Sequence, residues 1–358
     1  MTKLLPPTRL RDPGDLIAAV PHLLGFHPSD SIVVLVAQDH DVAMAVRVDL
    51  PPPGVPNRVA RQLTAPLARC RGSDAVVVVV GGGSGDPPED LPHAGLVDEV
   101  DDALLAADVP LLVAVWTRAT AKGERWFDYH DVGTSGTVPD PSSTALAAAS
   151  AADGHVTYAS REAMGELLTP DPPEALSRRT ALLNRLSADS PPAGSAPAGS
   201  AVNGSAADPA TVPARHRELI HAEVVRAATR KRPLTDEEVA DLAHALSNPV
   251  TRDASLAYCV GELAGSAEVL WTELTRACPA PERAEPASLL AFCAYAKGLG
   301  SLAALALDRA EEAHPGHRLT ELLRAALDFG LPPDQLRGLA ERVAETDWST
   351  PPTTPTPP

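Results

Sequence analysis

A histidine, a carboxylate and two hydroxyls fall within five residues of this chain: His27, Ser29, Asp30 and Ser31, in the run Leu-Leu-Gly-Phe-His-Pro-Ser-Asp-Ser at 23–31. An imidazole titrates near neutral pH, so an imidazole beside a carboxylate is material for general acid–base chemistry. Arg47 and Asp49 add a cation and a second carboxylate where an apolar run gives way to Leu50 and three prolines. On this reading His27, Asp30 and Asp49 are the catalytic candidates, and Ser29, Ser31, Arg47, Trp126 and Arg161 are the ligand-binding candidates. A structural reading of the same residues stands beside it. Gly25 ends a helix, Phe26 fills the core, Pro28 stops the helix, and Asp30 and Ser31 cap the turn. Spacing does not say whether His27 faces Asp30.

Gly81-Gly82-Gly83-Ser84-Gly85 follows an apolar run, as phosphate-binding loops do. No Lys-Ser/Thr closes it, the spacing is not Gly-x-Gly-x-x-Gly, and Asp86, Glu89 and Asp90 would repel a phosphate. A surface loop is the expectation. Lys122, Glu124, Arg125, Trp126, Asp128 and His130 form the densest polar and aromatic cluster. An edge strand with Trp126 and Tyr129 could stack on a ligand or dock a partner, and alternating polar residues are equally ordinary on an exposed edge. Ser160-Arg161-Glu162 reads as a helix start, where Arg161 either binds an anion or pairs with a carboxylate. Arg226, Arg230, Lys231 and Arg232, with Arg215 and Arg217, make the basic cluster, read as an intramolecular docking face. Cys70, Cys259, Cys278 and Cys293 have neither CxxC spacing nor a zinc pattern. They read as small buried hydrophobes, and neither a metal nor a cofactor is expected.

These residues need a scaffold. Residues 13–24 read as a helix, with Asp12 as N-cap and Pro13 at the first helical position. Residues 32–37 and 42–49 read as strands joined by Gln-Asp-His-Asp. A helix over 57–70 leads to an alanine and five valines at 75–80. That run is apolar on both faces and suits a central strand covered from both sides. A helix over 94–107, a buried strand over 111–116 and an edge strand over 125–130 follow. The order implies an α/β domain, a mixed sheet with helices on both faces.

Residues 133–189 read as mostly helical with turn breaks and complete a first domain over 1–189. Residues 190–213 are rich in Pro, Ala, Gly and Ser and nearly lack large apolar side chains, the composition of a flexible linker. An all-α domain over 214–347 comes next, with Thr235 and Glu238 as a capping box and helices over about 254–263, 268–276, 286–297, 301–314, 319–329 and 334–346. The Pro/Thr-rich tail over 348–358 reads as disordered. Gly298, Ala303, Ala310 and Pro315 have the spacing of the second half of a tetratricopeptide unit, with Leu290, Ala291 and Ala294 placed to match in its first helix. A solenoid usually needs about three such units, so an ordinary antiparallel bundle is the alternative.

Composition narrows the function. The 358 residues suffice for two domains. Hydrophobic residues make up 44% and aromatic residues 3%, so the core must be built of Ala, Val and Leu. A net charge of −17 argues against nucleic acid and against anionic membranes as partners. No apolar run approaches the roughly 18 residues of a membrane span, and the opening Met-Thr-Lys-Leu-Leu-Pro-Pro lacks a secretory apolar core. A cytoplasmic protein is the expectation.

Asp12-Pro13-Gly14-Asp15-Leu16, Val20-Pro21-His22-Leu23-Leu24-Gly25-Phe26, Pro28, Asp30-Ser31 and Arg47-Val48-Asp49-Leu50-Pro51 together carry a resemblance. In them the chain resembles an uncharacterised family of high-GC Gram-positive bacteria known as a domain of unknown function. The resemblance continues through Arg125-Trp126, Ser160-Arg161 and the segment 294–315. It implies no activity. The family pattern often follows the tryptophan with a cysteine-containing segment, whereas residues 128–136 here have no cysteine. Any metal or redox role of those cysteines would therefore be missing from this chain.

The functional expectation is a regulatory or scaffolding protein, with a small-molecule ligand in the α/β half and a protein partner on the helices. The alternative is a hydrolase or group-transfer enzyme with its site at the first helix–strand turn.

Overall fold

Valine-rich runs alternating with amphipathic stretches fold into one mixed sheet, and the apolar helices that follow fold on one another. The computed structural model describes residues 12–38, 41–51, 59–83, 88, 90–131, 133–152, 154–189 and 211–345. The expected linker over 190–210, the tail over 348–358 and the helix start at 57–58 lie outside them.

The first unit comprises residues up to Glu166 together with Ala326–Leu331. Helix α1 (Pro13–Leu24) begins where the Asp12 carboxylate accepts from the Gly14 N–H at 2.8 Å. It ends at Gly25, whose φ of 81° is the left-handed conformation a glycine supplies most cheaply. Then come β1 (Ser31–Gln38), β2 (Asp41–Asp49), α2 (Val59–Leu67), β3 (Asp74–Val80), α3 (Ala94–Ala106), β4 (Leu111–Thr117), β5 (Arg125–Asp128) and β6 (Ser135–Thr137). Short helices α4 (Ala145–Ala152) and α5 (Arg161–Glu166) complete the unit.

The strand order is β2-β1-β3-β4-β5-β6. Among the described strands only β3 and β4 pair in parallel, with α3 as their crossover. One face of the sheet carries Ile32, Val34, Val77, Val79 and Trp116 against Leu63 and Leu67 of α2 and Val97, Val100 and Leu104 of α3. The other face, with Val33, Leu35, Val76 and Val78, is buried as well. Continuous valine in β3 follows from that double burial. One expectation is corrected. Strand β5 is not an edge, because β6 pairs outside it from Arg125–Thr137 to Phe127–Ser135. The three residues Ser-Gly-Thr of β6 are too short and too polar to show a strand pattern.

The second unit spans 167–325 and 332–358. It holds α6 (Pro173–Asp189), α7 (Thr211–Ala227), α8 (Asp236–Leu246), α9 (Pro249–Ser255), a 3-10 turn (Leu256–Cys259), α10 (Ala264–Ala277), α11 (Ala284–Ala296), α12 (Gly300–Ala313), α13 (Arg318–Asp328, its end grouped with the first unit) and α14 (Pro333–Glu345). Every residue of α11 except Glu285 is buried, which makes it the central helix. Helix α6 belongs with this unit rather than with the first 189 residues, because Arg179 ties it to α8 and to the end of α10. Helix α7 already starts at Thr211, so residues 211–213 are helix rather than linker. Pro213 is tolerated there because first-turn N–H groups have no intrahelical partner. The helix expected over 254–263 instead starts at Pro249, where Asn248 Oδ1 accepts from the N–H groups of Val250 and Thr251. It tightens to a 3-10 turn ending at Cys259, ahead of Gly261 at φ 73°.

The capping box at α8 is present in both directions. Thr235 Oγ1 accepts from the Glu238 N–H at 3.2 Å, and Glu238 Oε2 accepts from the Thr235 N–H at 2.8 Å. Hydrogen bonds from Arg232, then that from Thr235, hold the Glu238 carboxyl down to about 2, against an ordinary 4.5. A carboxyl with a depressed folded-state pKa contributes stability that is complete above its unfolded pKa and lost as pH falls through its folded one. Glu238→Gln is therefore expected to lower Tm at pH 7, with the difference from the parent closing between about pH 4.5 and pH 2. A Tm difference that does not change on acidification would show that the charge is not what caps this helix.

Candidate functional site

The strand register gathers the candidate residues at one end of the sheet. Ser31 at the start of β1 stands between Asp49 of β2 and Val80 of β3. Val80 pairs with Thr117 of β4, and Thr117 with Trp126 of β5. This is the carboxyl end of the parallel pair β3 and β4, where open α/β sheets generally bind ligands.

The loop from Gly25 to Asp30 is held there by long-range bonds. The His27 N–H donates to Tyr158 O at 3.0 Å, and the Tyr158 N–H donates to Gly25 O at 2.8 Å. The half-buried imidazole of His27 places Nδ1 3.0 Å from Oγ1 of Thr120, a buried residue just past β4. Burial, followed by the neighbouring His22, lowers the pKa of His27, so its neutral form dominates at neutral pH. No bond to its Nε2 comes from the described residues. His22 donates through Nε2 to Pro141 O at 2.9 Å, and its Nδ1 lies 3.0 Å from Thr157 Oγ1.

The Asp30 carboxylate bonds outside its own turn, to the loop after β3. Its φ is 41°, its Oδ1 accepts from the Gly82 N–H at 3.0 Å, and its carbonyl accepts from the Leu50 N–H at 2.8 Å. Gly81 has no alternative residue here, since a Cβ would lie 2.7 Å from Asp30 Oδ1 at a φ of 80°. The glycines 81–83 thus serve packing, and Trp116 Nε1 donates to Gly81 O at 2.8 Å. Ser84 and Gly85 lie outside the described residues.

A second chain of bonds runs through Ser31, which is fully buried. Its Oγ donates to Ser29 O at 2.5 Å and accepts from Arg47 Nε at 2.8 Å. Arg47 lies 5.9 Å from the Phe26 ring centroid and reaches Asp49 at 2.6 Å. The Asp49 carboxylate is 78% exposed, so that ion pair contributes little to stability and leaves the carboxylate open to solvent. Arg161 opens α5, where Ser160 Oγ accepts from the Ala163 N–H at 3.2 Å. Backbone and Ser160 hydrogen bonds, then Arg161 and Arg47, lower the Glu162 carboxyl.

The structure therefore joins Ser29, Ser31, Arg47 and Asp49 in one network, and His27 to Thr120. It engages Asp30 with Gly82, and records no hydrogen bond between His27 and Asp30. Trp126 is buried, with its indole against Gly14 and Gly136, where a Cβ would come within 3.1 and 2.8 Å. The sequence reading missed Thr120, Thr157 and the role of His22. The only local signal for Thr120 was its place just after a buried strand.

Three arginines of the basic cluster after the linker are paired within the chain. Arg226 and Arg230 donate to Glu223, Arg230 also to Glu273, and Arg232 to Glu238. The helical unit also contains an imitation of a catalytic triad. Ser288 Oγ lies 3.3 Å from His317 Nδ1, and His317 Nε2 lies 3.2 Å from Glu285 Oε2, though not directed as a hydrogen bond. Ser288 and Thr320 have no solvent exposure, so this cluster fastens α13 to α11 and offers no nucleophile to a substrate. Among the described residues, no three His, Cys, Asp or Glu side chains are arranged to hold a metal ion, and no helix is long and apolar enough to cross a membrane.

No curated protein and no solved structure matches the chain. A family model described as a domain of unknown function, DUF4192, matches residues 13–334. That span runs from the first residue of α1, through the sheet-end loops and the helical unit, to the start of α14. The chain belongs to the DUF4192 family of domains of unknown function.

Proposed function

We propose that this chain is a regulatory or scaffolding protein, with a small polar ligand bound at the carboxyl end of β3 and β4 and a protein partner on the helical unit. The observation that carries the reading is His27. Its imidazole is anchored at Nδ1 by Thr120 and keeps an uncommitted Nε2, while the adjacent carboxylate of Asp30 is engaged by Gly82. A neutral imidazole fixed at one nitrogen suits a group that recognises a ligand by hydrogen bonding. A general base oriented by an acid would need a carboxylate on the imidazole, and Asp30 does not provide it.

Ser29, Arg47, Asp49 and Arg161 would supply the remaining polar contacts. In the helical unit Ala284, Ala287 and Ala310 let α11 and α12 approach closely, as in a tetratricopeptide-like hairpin that presents a groove to a partner segment. Four free thiols and the acidic charge agree with a cytoplasmic setting and with neither nucleic acid nor membrane as partner. The exposed Asp49 carboxylate at the same end of the sheet favours a second reading, a hydrolase or group-transfer enzyme with His27, Asp30 and Asp49 as acid/base or polarising residues.

Thermal shifts of the intact chain against a metabolite and nucleotide library test both readings. Expected is a compound that raises Tm, an effect lost in His27→Ala or Asp49→Ala, and that is not turned over. Turnover lost with His27→Ala would establish the enzyme. Hits that both variants retain would move the ligand away from this end of the sheet.

A further inference from the structure

Two histidines of the first unit are anchored in the same way, and one of them is left incomplete. His22, on α1, has Nδ1 3.0 Å from Thr157 Oγ1 and Nε2 2.9 Å from Pro141 O. A backbone carbonyl only accepts, so Nε2 carries a proton there. In the neutral ring Nδ1 is then the acceptor, and the Thr157 hydroxyl donates to it. Both nitrogens of His22 are satisfied from within the fold.

His27 repeats half of this arrangement. Its Nδ1 lies 3.0 Å from Thr120 Oγ1, and its Nε2 has no partner among the described residues. Thr120 decides which nitrogen carries the proton. The residue is 1% exposed, and its hydroxyl has no other partner among the described residues. If Nδ1 donated, the hydroxyl proton would be buried without an acceptor, which is costly. The hydroxyl therefore donates to Nδ1, and the neutral ring carries its proton on Nε2. Burial, followed by His22, lowers the pKa of His27 and keeps the ring in that neutral form near neutral pH. Nε2 is not among the enclosed unsatisfied atoms, so its N–H is within reach of a ligand.

The donor fixes what it can recognise. The lone pair of the ring faces Thr120, so the free side of His27 does not ligate a metal ion or accept from a cationic group. The charges at this end of the sheet are of both signs: Arg47 is divided between Ser31 and Asp49, and the Asp30 carboxylate bonds to Gly82. A neutral N–H in that setting has no excess positive charge with which to draw in a phosphate. We propose that the ligand at the carboxyl end of β3 and β4 presents an uncharged carbonyl oxygen, of an amide or a nucleobase, to the Nε2–H of His27, as Pro141 O does to His22. The inference rests on the sheet-end reading above and adds the chemical class of its ligand. Thr120 is the positioning residue, because it sets the tautomer without touching the ligand.

The test uses the full chain, isotope-labelled in its histidines, with the ring nitrogens read by long-range proton–nitrogen spectroscopy and assigned by comparison with His27→Gln. The parent is expected to show His27 as the Nε2–H tautomer with Nδ1 accepting a hydrogen bond. Thr120→Val should move the Nδ1 signal to that of an unbonded ring nitrogen, and Thr120→Ser should restore it. Benzamide and uracil serve as uncharged carbonyl probes, inorganic phosphate as the anion and benzylamine as the cation. At least one carbonyl probe should shift the Nε2 signal saturably, and Thr120→Val should weaken that binding roughly threefold to tenfold, because the ring is no longer held. A response to benzamide alone identifies an amide, and one to uracil alone a nucleobase. A parent that holds the Nδ1–H tautomer overturns the donor assignment and leaves a sheet-end ligand standing. Saturation by phosphate or benzylamine alone, or by no probe, overturns the carbonyl class. The sheet-end reading fails on a different result, thermal-shift hits that survive in both His27→Ala and Asp49→Ala.

Discussion

Arg179→Met is expected to cost the helical unit about 3–5 kcal/mol, a fall in Tm of roughly 6–20 °C. The guanidinium is buried and makes three contacts from three directions. Nε donates to Asp236 at 2.8 Å, and Nη1 donates to Asp171 at 2.7 Å and to Ala277 O at 2.8 Å. It therefore holds the start of α8, the turn before α6 and the last residue of α10 to one side chain. Removing it leaves two carboxylates short of their best partner and one carbonyl unpaired. Arg178 retains Asp236 at 2.6 Å, but Arg276 reaches Asp171 only at 3.6 Å. Arg179→Lys should recover little, because one ammonium cannot reproduce a rigid fork across three acceptors. Denaturant unfolding of the parent and both variants measures this, with the helical and α/β transitions followed separately. A loss below about 1 kcal/mol for Arg179→Met would mean that the network is solvated and replaceable.

Much of this architecture was legible because local chemistry and the fold agree. Asp12-Pro13 before α1 and Thr235 with Glu238 before α8 fix helix starts by bonds made within three residues. The valines of β3 announce a doubly covered strand because nothing polar interrupts them. The misplaced elements lacked such signals or were outweighed. Asn248-Pro249 is a good helix start, but the apolar residues of 254–263 suggested a later one, and Gly261 at φ 73° shows where the chain turns away. Strand β6 exists because β5 offers it hydrogen bonds, a cause located on another segment.

The site was legible to a similar depth. The turn-capping reading of Asp30 used only neighbours and chain geometry, whereas its carboxylate accepts from the N–H of Gly82, 52 residues away. The partners of the histidines were out of reach. Thr120 lies 93 residues from His27, and Thr157 lies 135 residues from His22. Trp126 looked like a ligand platform because it was placed, with Tyr129, on an edge strand. In the structure the glycines at 14 and 136 make room for the indole, and their meaning appears only once three segments are brought together.

Trp116→Ala is expected to destabilise the α/β unit by about 3–5 kcal/mol and to release the loop that the candidate site depends on. The indole is 2% exposed at the end of β4, and its ring centroid lies 6.0 Å from that of Phe127. Its Nε1 donates to Gly81 O at 2.8 Å, so the same side chain fills the core and pins the first glycine after β3. Gly81 in turn lets Asp30 approach closely enough to accept the Gly82 N–H. Trp116→Phe separates the two roles. It keeps most of the apolar volume and removes only the donor, at a cost of about 1–3 kcal/mol for the unpaired carbonyl. Amide exchange at Gly82 then reports on the loop alone. In Trp116→Phe this amide should exchange faster than the loss of global stability explains, because its acceptor Asp30 is positioned across Gly81. Any sheet-end ligand found by thermal shift should bind that variant more weakly. If Gly82 stays protected to the limit of global unfolding, the loop is held by the close packing of Gly82 and Gly83 on His93 and Pro92, and the indole bond is incidental to the site.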